Sequence, residues 1–273
     1  MNNLNVVYYP GSIKEFSKVY NKKSHIIAGS TYFFKAMGKN TDIKEIISIK
    51  KLGLRYIKTD SKNLKIGALS TFDDVEHNTL CKNLYFGFLS KAASQCSSQL
   101  IRNMATIGGN IAHPNAFNIM PLVIETLNGK VKVYDGKKYE TISLSDYYKT
   151  AKKGLIVEIL LPLSYNKNIF YFEKVSKTNS SWESYITFSF RCDLGLKDIR
   201  LVFGAINSLP VFNKSFEDEI IKKKILDERE IENISNKYAE YIYSLHPTHK
   251  YANYRKQVVY ATVKEFIKKV LGR

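Results

Sequence analysis

Two short stretches of this sequence carry residue types suited to holding a phosphorylated ligand. In the first, His25-Ile26-Ile27-Ala28-Gly29-Ser30-Thr31, an apolar run ends in small and hydroxylated residues, and in the second, Ala105-Thr106-Ile107-Gly108-Gly109-Asn110, another apolar entry leads into a small-residue turn. Turns of this kind can aim consecutive backbone N–H groups at one point and so bind a pyrophosphate, with hydroxyls completing the cradle. Glycine suits them because a Cβ would block close approach or forbid the backbone angles. Taken singly, each is weak evidence, and a lone strand-Gly-Ser-Thr turn is better read as a plain loop. Neither fits a standard nucleotide fingerprint: no G-x-G-x-x-G follows the first strand and no G-x-x-x-x-G-K-[ST] occurs, which argues against a Rossmann dinucleotide site and a P-loop NTPase.

Other chemistry is poorly supplied. Cys81, Cys96 and Cys192 are the three cysteines, too scattered for a disulfide framework and without a C-x-x-C pair. Iron–sulfur clusters and structural zinc need about four thiolate or imidazole ligands at defined spacings, which this chain lacks. Among the histidines, only His246 and His249 share a stretch, and Pro247 between them suggests a loop and an ordinary surface pair. The formal charge of +17 raises the question of nucleic acid, but 35 of the 42 basic residues are Lys, spread along the whole chain. Base readout favours Arg, so a solvated basic surface is expected, with no nucleic-acid partner. An acidic partner subunit or a phosphorylated cofactor would also suit this charge, and Lys222, Lys223, Lys224, Lys264, Lys268 and Lys269 are a candidate docking surface.

The elements that must position the two turns follow from periodicity. Ser12 followed by Glu15 is a capping-box signature, and Ile13, Phe16, Val19 and Tyr20 repeat at helical spacing. Strands are expected at His25 to Ala28, Ile43 to Ile49, Leu54 to Thr59 and Leu64 to Leu69, the last two paired across Asp60 to Asn63. A helix is expected over Leu84 to Gln95, a break at Asn103 to Asn110, and a helix over Ile119 to Leu127 ended by Asn128-Gly129. Val131 to Tyr134 and Tyr139 to Ile142 read as a hairpin, and Leu155 to Leu161 as a buried strand closed by Pro162. Beyond the polar stretch Ser164 to Asn168 come strands at Ile169 to Val175, Ser184 to Arg191 and Ile199 to Ile206. Helices follow from about Ser215, from about Asp227 to Ser244, and from about Ala252 to Val270. The fold class is therefore α+β, with domains expected at 1–165 (subdomains about 1–53 and 54–165) and 166–273. The N-terminus lacks a secretory signal pattern and no apolar run approaches the roughly 20 residues that span a bilayer, so a cytoplasmic protein with no membrane partner is expected.

The order and separation of the two turns resemble the FAD-binding subunits of the molybdenum hydroxylases, the family of the xanthine dehydrogenase flavin domain and the carbon monoxide dehydrogenase flavoprotein subunit. In that family an A-G-G-T-like turn and a T-I-G-G-N turn jointly wrap the FAD pyrophosphate. Here they stand as Ala28-Gly29-Ser30-Thr31 and Thr106-Ile107-Gly108-Gly109-Asn110, the second led in by Gln99-Leu100-Ile101-Arg102-Asn103-Met104-Ala105, similar to the family's Q-I-R-N-x-A. Tyr9-Pro10-Gly11-Ser12 resembles the family's opening, Leu64-Lys65-Ile66-Gly67-Ala68 its hairpin, and Ile156 to Pro162 the strand closing the FAD domain. Phe172-Glu173-Lys174-Val175-Ser176 resembles the linker strand whose lysine lies near the flavin, and Tyr254-Arg255-Lys256 the C-terminal signature. Two positions depart: Ser30 stands where the commonest pattern has a second Gly, and Asn118, after a segment one residue short, where an Asp binds the ribityl chain.

The resemblance implies a two-part α/β FAD-binding domain followed by a small α+β domain built on a three-stranded antiparallel sheet with helices. It implies FAD as cofactor and, as partners, an iron–sulfur subunit and a molybdenum-cofactor subunit, with NAD as an electron acceptor. Ile27, Ala28, Gly29, Ser30, Thr31 and Tyr32, with Thr106, Ile107, Gly108, Gly109 and Asn110, are the implied cofactor-binding residues, no side chain acting as acid, base or nucleophile. Gly108 and Gly109 are expected to line the pyrophosphate, and Ile156 to pack on the flavin or adenine. Lys174 either stabilises charge on reduced flavin or is a solvated strand lysine. Restoring a carboxylate by Asn118→Asp is expected to tighten FAD. Two other readings stay open: a free-standing FAD reductase on the same fold, and a flavin-free scaffold subunit.

Overall fold

The structure is a computed structural model describing residues 6–21, 24–33, 43–150, 154–223 and 227–271. Three sheets follow one another along the chain. The first is parallel, with β1 (Val6–Tyr8) and β2 (His25–Ile27) flanking β3 (Glu45–Ser48), and α1 (Ile13–Val19) crossing between β1 and β2. Ser12 caps that helix by accepting the Glu15 N–H, and Phe16 on its inner face is fully buried against Ile47 and Leu155. The second sheet is antiparallel, in the order β4 (Ile57–Thr59), β5 (Asn63–Gly67), β8 (Leu155–Pro162), β6 (Lys130–Tyr134) and β7 (Tyr139–Ser143). Its central strand β8 is covered on both faces, which is why Leu155 to Leu161 is an almost unbroken apolar run.

Helices from residues 72–126 cover one face of this sheet: α2 (Phe72–His77), α3 (Thr79–Asn83), α4 (Phe88–Ser94), α5 (Gln99–Arg102), α6 (Ile107–Ala112) and α7 (Met120–Thr126), and α8 (Leu144–Lys149) follows β7. Two expectations are corrected here. The helix expected from Leu84 begins only at Phe88, because Tyr85, Phe86 and Gly87 all have positive φ. Burial of the Tyr85 ring and its hydroxyl's bond to the Leu161 carbonyl, at 3.0 Å, override the local helical pattern. The break expected over Asn103 to Asn110 ends early, since Ile107 starts α6 with both glycines inside it.

The third sheet, antiparallel β9 (Ile169–Val175), β10 (Ile186–Cys192) and β11 (Ile199–Gly204), carries α9 (Lys214–Lys223), α10 (Glu228–Leu245) and α11 (Ala252–Val270) around an aromatic-rich core. The lysines expected to form an acidic-partner surface are largely engaged within these helices. Lys223 pairs with Glu230 at 3.2 Å, Lys264 with Glu232 at 2.8 Å and Lys268 with Glu228 at 2.7 Å, while Lys224 lies outside the described residues. Among the described residues no helix is long and apolar enough to cross a membrane.

The third sheet rests on α7 through a buried polar seam. Arg191 has no exposed surface, and its Nε donates to the Thr126 carbonyl at 2.8 Å while Nη1 and Nη2 clasp Asp198 at 2.6 and 3.0 Å. The guanidinium also lies 3.8 Å from the centre of the Tyr165 ring. Removing a buried guanidinium strands its partners, at a cost of several kcal/mol. Arg191→Leu is therefore expected to lower unfolding free energy by about 3 kcal/mol, seen as a lower urea midpoint; an unchanged midpoint would mean the seam bears no load.

Candidate functional site

The chain leaves β2 at Ile27 and turns through residues 28–33 beside the entry to α6. Gly29 is fixed by its neighbour, because a Cβ there would sit 1.8 Å from the Met104 carbonyl oxygen. Its absence lets the two turns touch backbone to backbone. Ser30 has a φ of 62°, in the left-handed region, and its hydroxyl donates to the Ala28 carbonyl at 3.3 Å. A non-glycine residue there costs on the order of 1 kcal/mol. Among the described residues the backbone N–H groups of Gly29, Ser30 and Thr31 have no hydrogen-bond partner. Consecutive free donors around a left-handed residue form an anion-binding nest.

The second turn is built differently. Thr106 caps α6, its hydroxyl accepting the Gly109 N–H at 3.2 Å, and the Asn110 N–H donates to the Thr106 carbonyl at 3.0 Å. The Ile107 N–H donates to the Ser70 carbonyl and the Gly108 N–H to the Ala68 carbonyl, each at 2.9 Å. The first donors of this helix are thus spent inside the protein, stitching the turn to the chain after β5. A Cβ on Gly108 would lie 2.7 Å from that of Ala68, so this glycine serves close packing and does not line the cavity. The expectation that Gly108 faces a pyrophosphate is corrected accordingly: a larger side chain there would strain the fold before it met a ligand.

Between the turns lies a cavity of about 640 Å³, a size that suits a cofactor. Ile27, Ala28, Gly29, Ser30, Thr31, Tyr32, Thr106, Gly109, Asn110 and Asn118 all line it. Ile107 is fully buried and Ile156 only 4% exposed, both in the central core. Ile156 sits on the covered strand β8, where period-two alternation gives no clue to which side chains reach a cavity. Lys174 is half-buried outside the cavity lining: its ammonium donates to the Gln95 carbonyl at 3.1 Å and to that of Ser181, and its backbone N–H donates to Gln95 Oε1 at 2.8 Å. Burial lowers its pKa. It is a tie between two wall segments and not a solvated strand lysine.

Cys96, Ser97, His113 and Trp182 also line the cavity, and sequence reasoning did not find them. His113 follows the second motif by three residues and stacks near Tyr32, ring centres 4.1 Å apart. Trp182 comes from the distant loop after β9, where no local motif marks it. Burial pushes the Cys96 thiol up to about 12, so it is a neutral wall residue and no nucleophile.

Asn118 closes the loop that ends α6. Its amide nitrogen donates to the Asn110 carbonyl at 2.7 Å and the His113 carbonyl at 2.6 Å, while its oxygen accepts from Asn110 Nδ2 at 3.1 Å. Asn110 Oδ1 in turn accepts the Met120 N–H at 3.0 Å, tying the loop to α7. These bonds argue against the expectation that Asn118→Asp tightens FAD. A carboxylate would face two carbonyl oxygens with no proton to offer, so its pKa would be raised on folding and the loop destabilised once it ionises.

Two outcomes follow. Asn118→Asp should match the wild type below about pH 4 and lose about 2 kcal/mol as the carboxyl ionises with rising pH; thermal melts at several pH values check this, and a pH-independent difference would refute it. Ser30→Gly should raise stability by about 1 kcal/mol through release of the left-handed side chain, measured by urea unfolding.

Comparison with known proteins places this geometry. Residues 2–164 match the family model described as the FAD binding domain in molybdopterin dehydrogenase. The glyceraldehyde dehydrogenase medium chain of Sulfolobus acidocaldarius is 24% identical over 233 residues, covering 82% of each chain. The nicotinate dehydrogenase FAD-subunit of Eubacterium barkeri is 33% identical over 125 residues, 45% of this chain and 42% of the relative. Carbon monoxide dehydrogenase from Hydrogenophaga pseudoflava has the same fold, with a TM-score of 0.84 over 97% of this chain and 96% of that one at 17% identity. With the family model spanning more than half its length and the two motif turns meeting at one cavity, the chain belongs to the FAD-binding subunits of the molybdenum hydroxylase family.

Proposed function

We propose that this chain is the electron-transfer subunit that takes electrons from iron–sulfur clusters on a partner and passes them to NAD. The cluster-bearing chain and a molybdenum-cofactor chain would be its partners in the cytoplasm. One observation carries the assignment of the cofactor's place: three consecutive N–H groups at Gly29, Ser30 and Thr31, without partners among the described residues, line a cavity of about 640 Å³. Bound FAD supplies the redox chemistry, and the protein supplies position and electrostatics.

In this reading the nest at Gly29 to Thr31 binds the pyrophosphate, and the Thr106 hydroxyl and the face of Gly109 complete the cradle from the second turn. The division of the chain at about residue 165 gives residues 1–165 the cofactor cradle and residues 166–273 the remaining wall, contributed by Trp182. Lys174 holds positive charge close behind that wall through the Ser181 and Gln95 carbonyls. Its charge there favours a reduced, anionic ring over a neutral one. The chain's three cysteines cannot ligate the clusters that would feed the flavin, so electrons must arrive across an interface.

The purified chain should carry or take up FAD noncovalently, released by acid or heat, and a preparation that neither holds nor binds FAD would favour a scaffold subunit. Gly29→Ala should cut FAD affinity by about tenfold or more, or about 1.4 kcal/mol, by forcing Met104 and the nest apart; unchanged affinity in the folded variant would remove the first turn from the site. NADH-dependent dye reduction is expected of the isolated chain and hydroxylase turnover only of the complex. Substrate oxidation by the chain alone would overturn the assignment.

A further inference from the structure

We infer that the open face of the second sheet is a docking surface for an acidic face of a partner subunit. This rests on the reading of partner chains above and adds the place where one of them sits.

Successive side chains of a strand point to opposite faces, so a cross-strand row collects one residue from each strand on one face. On the face turned away from the helices, Lys58, Lys65, Leu160 and Lys130 stand in one such row across β4, β5, β8 and β6. Lys132 follows Lys130 on the same face, its ammonium 5.0 Å from the centre of the exposed Tyr139 ring, and the Lys58 ammonium lies 4.7 Å from that of Tyr56. The first sheet and α1 cover this face only around Tyr134, Leu155 and Val157, which pack with Phe16 and Ile47. Beyond that cover Lys58 and Lys130 are exposed and Leu160 is partly so.

The same residue type is treated differently elsewhere. On the C-terminal helices Lys223, Lys264 and Lys268 each face a carboxylate. Of the four sheet lysines only Lys65 has one, Asp60 at 2.8 Å, and Lys58, Lys130 and Lys132 have no ion-pair partner among the described residues. Glu158, opposite Lys132 in the register, is 6% exposed and already accepts the Tyr56 hydroxyl at 2.8 Å. Lys58 and Lys65 stand directly opposite one another on strands about 5 Å apart, where like charges destabilise a sheet. A lysine-rich composition alone does not account for a row of unmatched charges beside helices whose lysines are matched.

A broad surface of opposite charge satisfies such a row. Lys58 and Lys130 are three strands apart, about 14 Å, a span that suits carboxylates spread over a protein face better than one small anion. The row holds no Arg, the residue that dominates base readout. Leu160 in the middle of the row and the Tyr139 ring supply an apolar centre, and the lysines a charged rim, as in a protein–protein interface. None of these residues lines the cofactor cavity, so the surface anchors the chain and leaves the site open.

The test isolates the native complex through a tag on this chain and measures iron, molybdenum and FAD per chain. One variant carries Lys58→Glu with Lys130→Glu; the control carries Lys222→Glu with Lys269→Glu, exposed lysines of α9 and α11 that give the same change in net charge. The sheet pair should lose iron, molybdenum or both by about tenfold while keeping FAD, and the control should match the wild type. Lys58→Gln with Lys130→Gln, which removes charge without adding repulsion, should show a smaller loss in the same metals, and raised salt should strip them from the wild type. Equal loss in the sheet and control pairs would assign assembly to bulk charge and overturn the inference. Unchanged metal content in both sheet variants would overturn it too, and binding of RNA or anionic phospholipid vesicles that the sheet pair alone abolishes would then name the other occupant. A wild-type preparation with FAD but neither metal would overturn the reading of partner chains itself.

Discussion

The site depends on one contact between two backbones. Gly29 lies so close to the Met104 carbonyl that a single methyl group cannot be placed between them. One partner hangs from the small parallel sheet through β2, and the other is stitched to the end of β5 by the Ile107 and Gly108 N–H groups. At this contact the separation of the two turns is fixed by peptide groups, whose positions are determined by two sheets, and the rings of Tyr32 and His113 add a side-chain contact between the same two segments.

From this contact comes an unequal division of work. Two glycine-bearing turns of similar composition look interchangeable as phosphate binders, yet the first has three consecutive N–H groups without a partner among the described residues, while those of Ile107 to Asn110 in the second are spent. The second uses its amides as fasteners, and Gly108 allows α6 to lie directly on Ala68. Asn118 extends the same economy, since its amide makes three hydrogen bonds to Asn110 and His113 at once and so is a structural clasp where a carboxylate could not be.

Much of this was legible in the sequence, for stateable reasons. Alternation and turn residues marked the hairpins, the buried run at Leu155 to Leu161 marked the central strand, and long apolar periods marked α10 and α11. The motif turns drew attention to most of the residues that line the cavity. What escaped was whatever depends on contact between distant segments. The direction of the Ile156 side chain, the capture of Lys174 by two carbonyls, and the arrival of Trp182 at the cavity have no local signature. The left-handed run at Tyr85 to Gly87 escaped for a related reason, since burial of one tyrosine outweighs the helical preference of its neighbours.

The internal stitching of the second turn also bears on how this family should drift over evolutionary time. A motif whose amides hold the protein together is kept under selection for folding, whether or not a cofactor is ever loaded. A descendant that lost its flavin would retain Thr106-Ile107-Gly108-Gly109 while residues 30 and 31, relieved of their ligand, diverged. Persistence of the second motif alone is therefore a mark of ancestry, and the first turn is where the loss of redox function would be written.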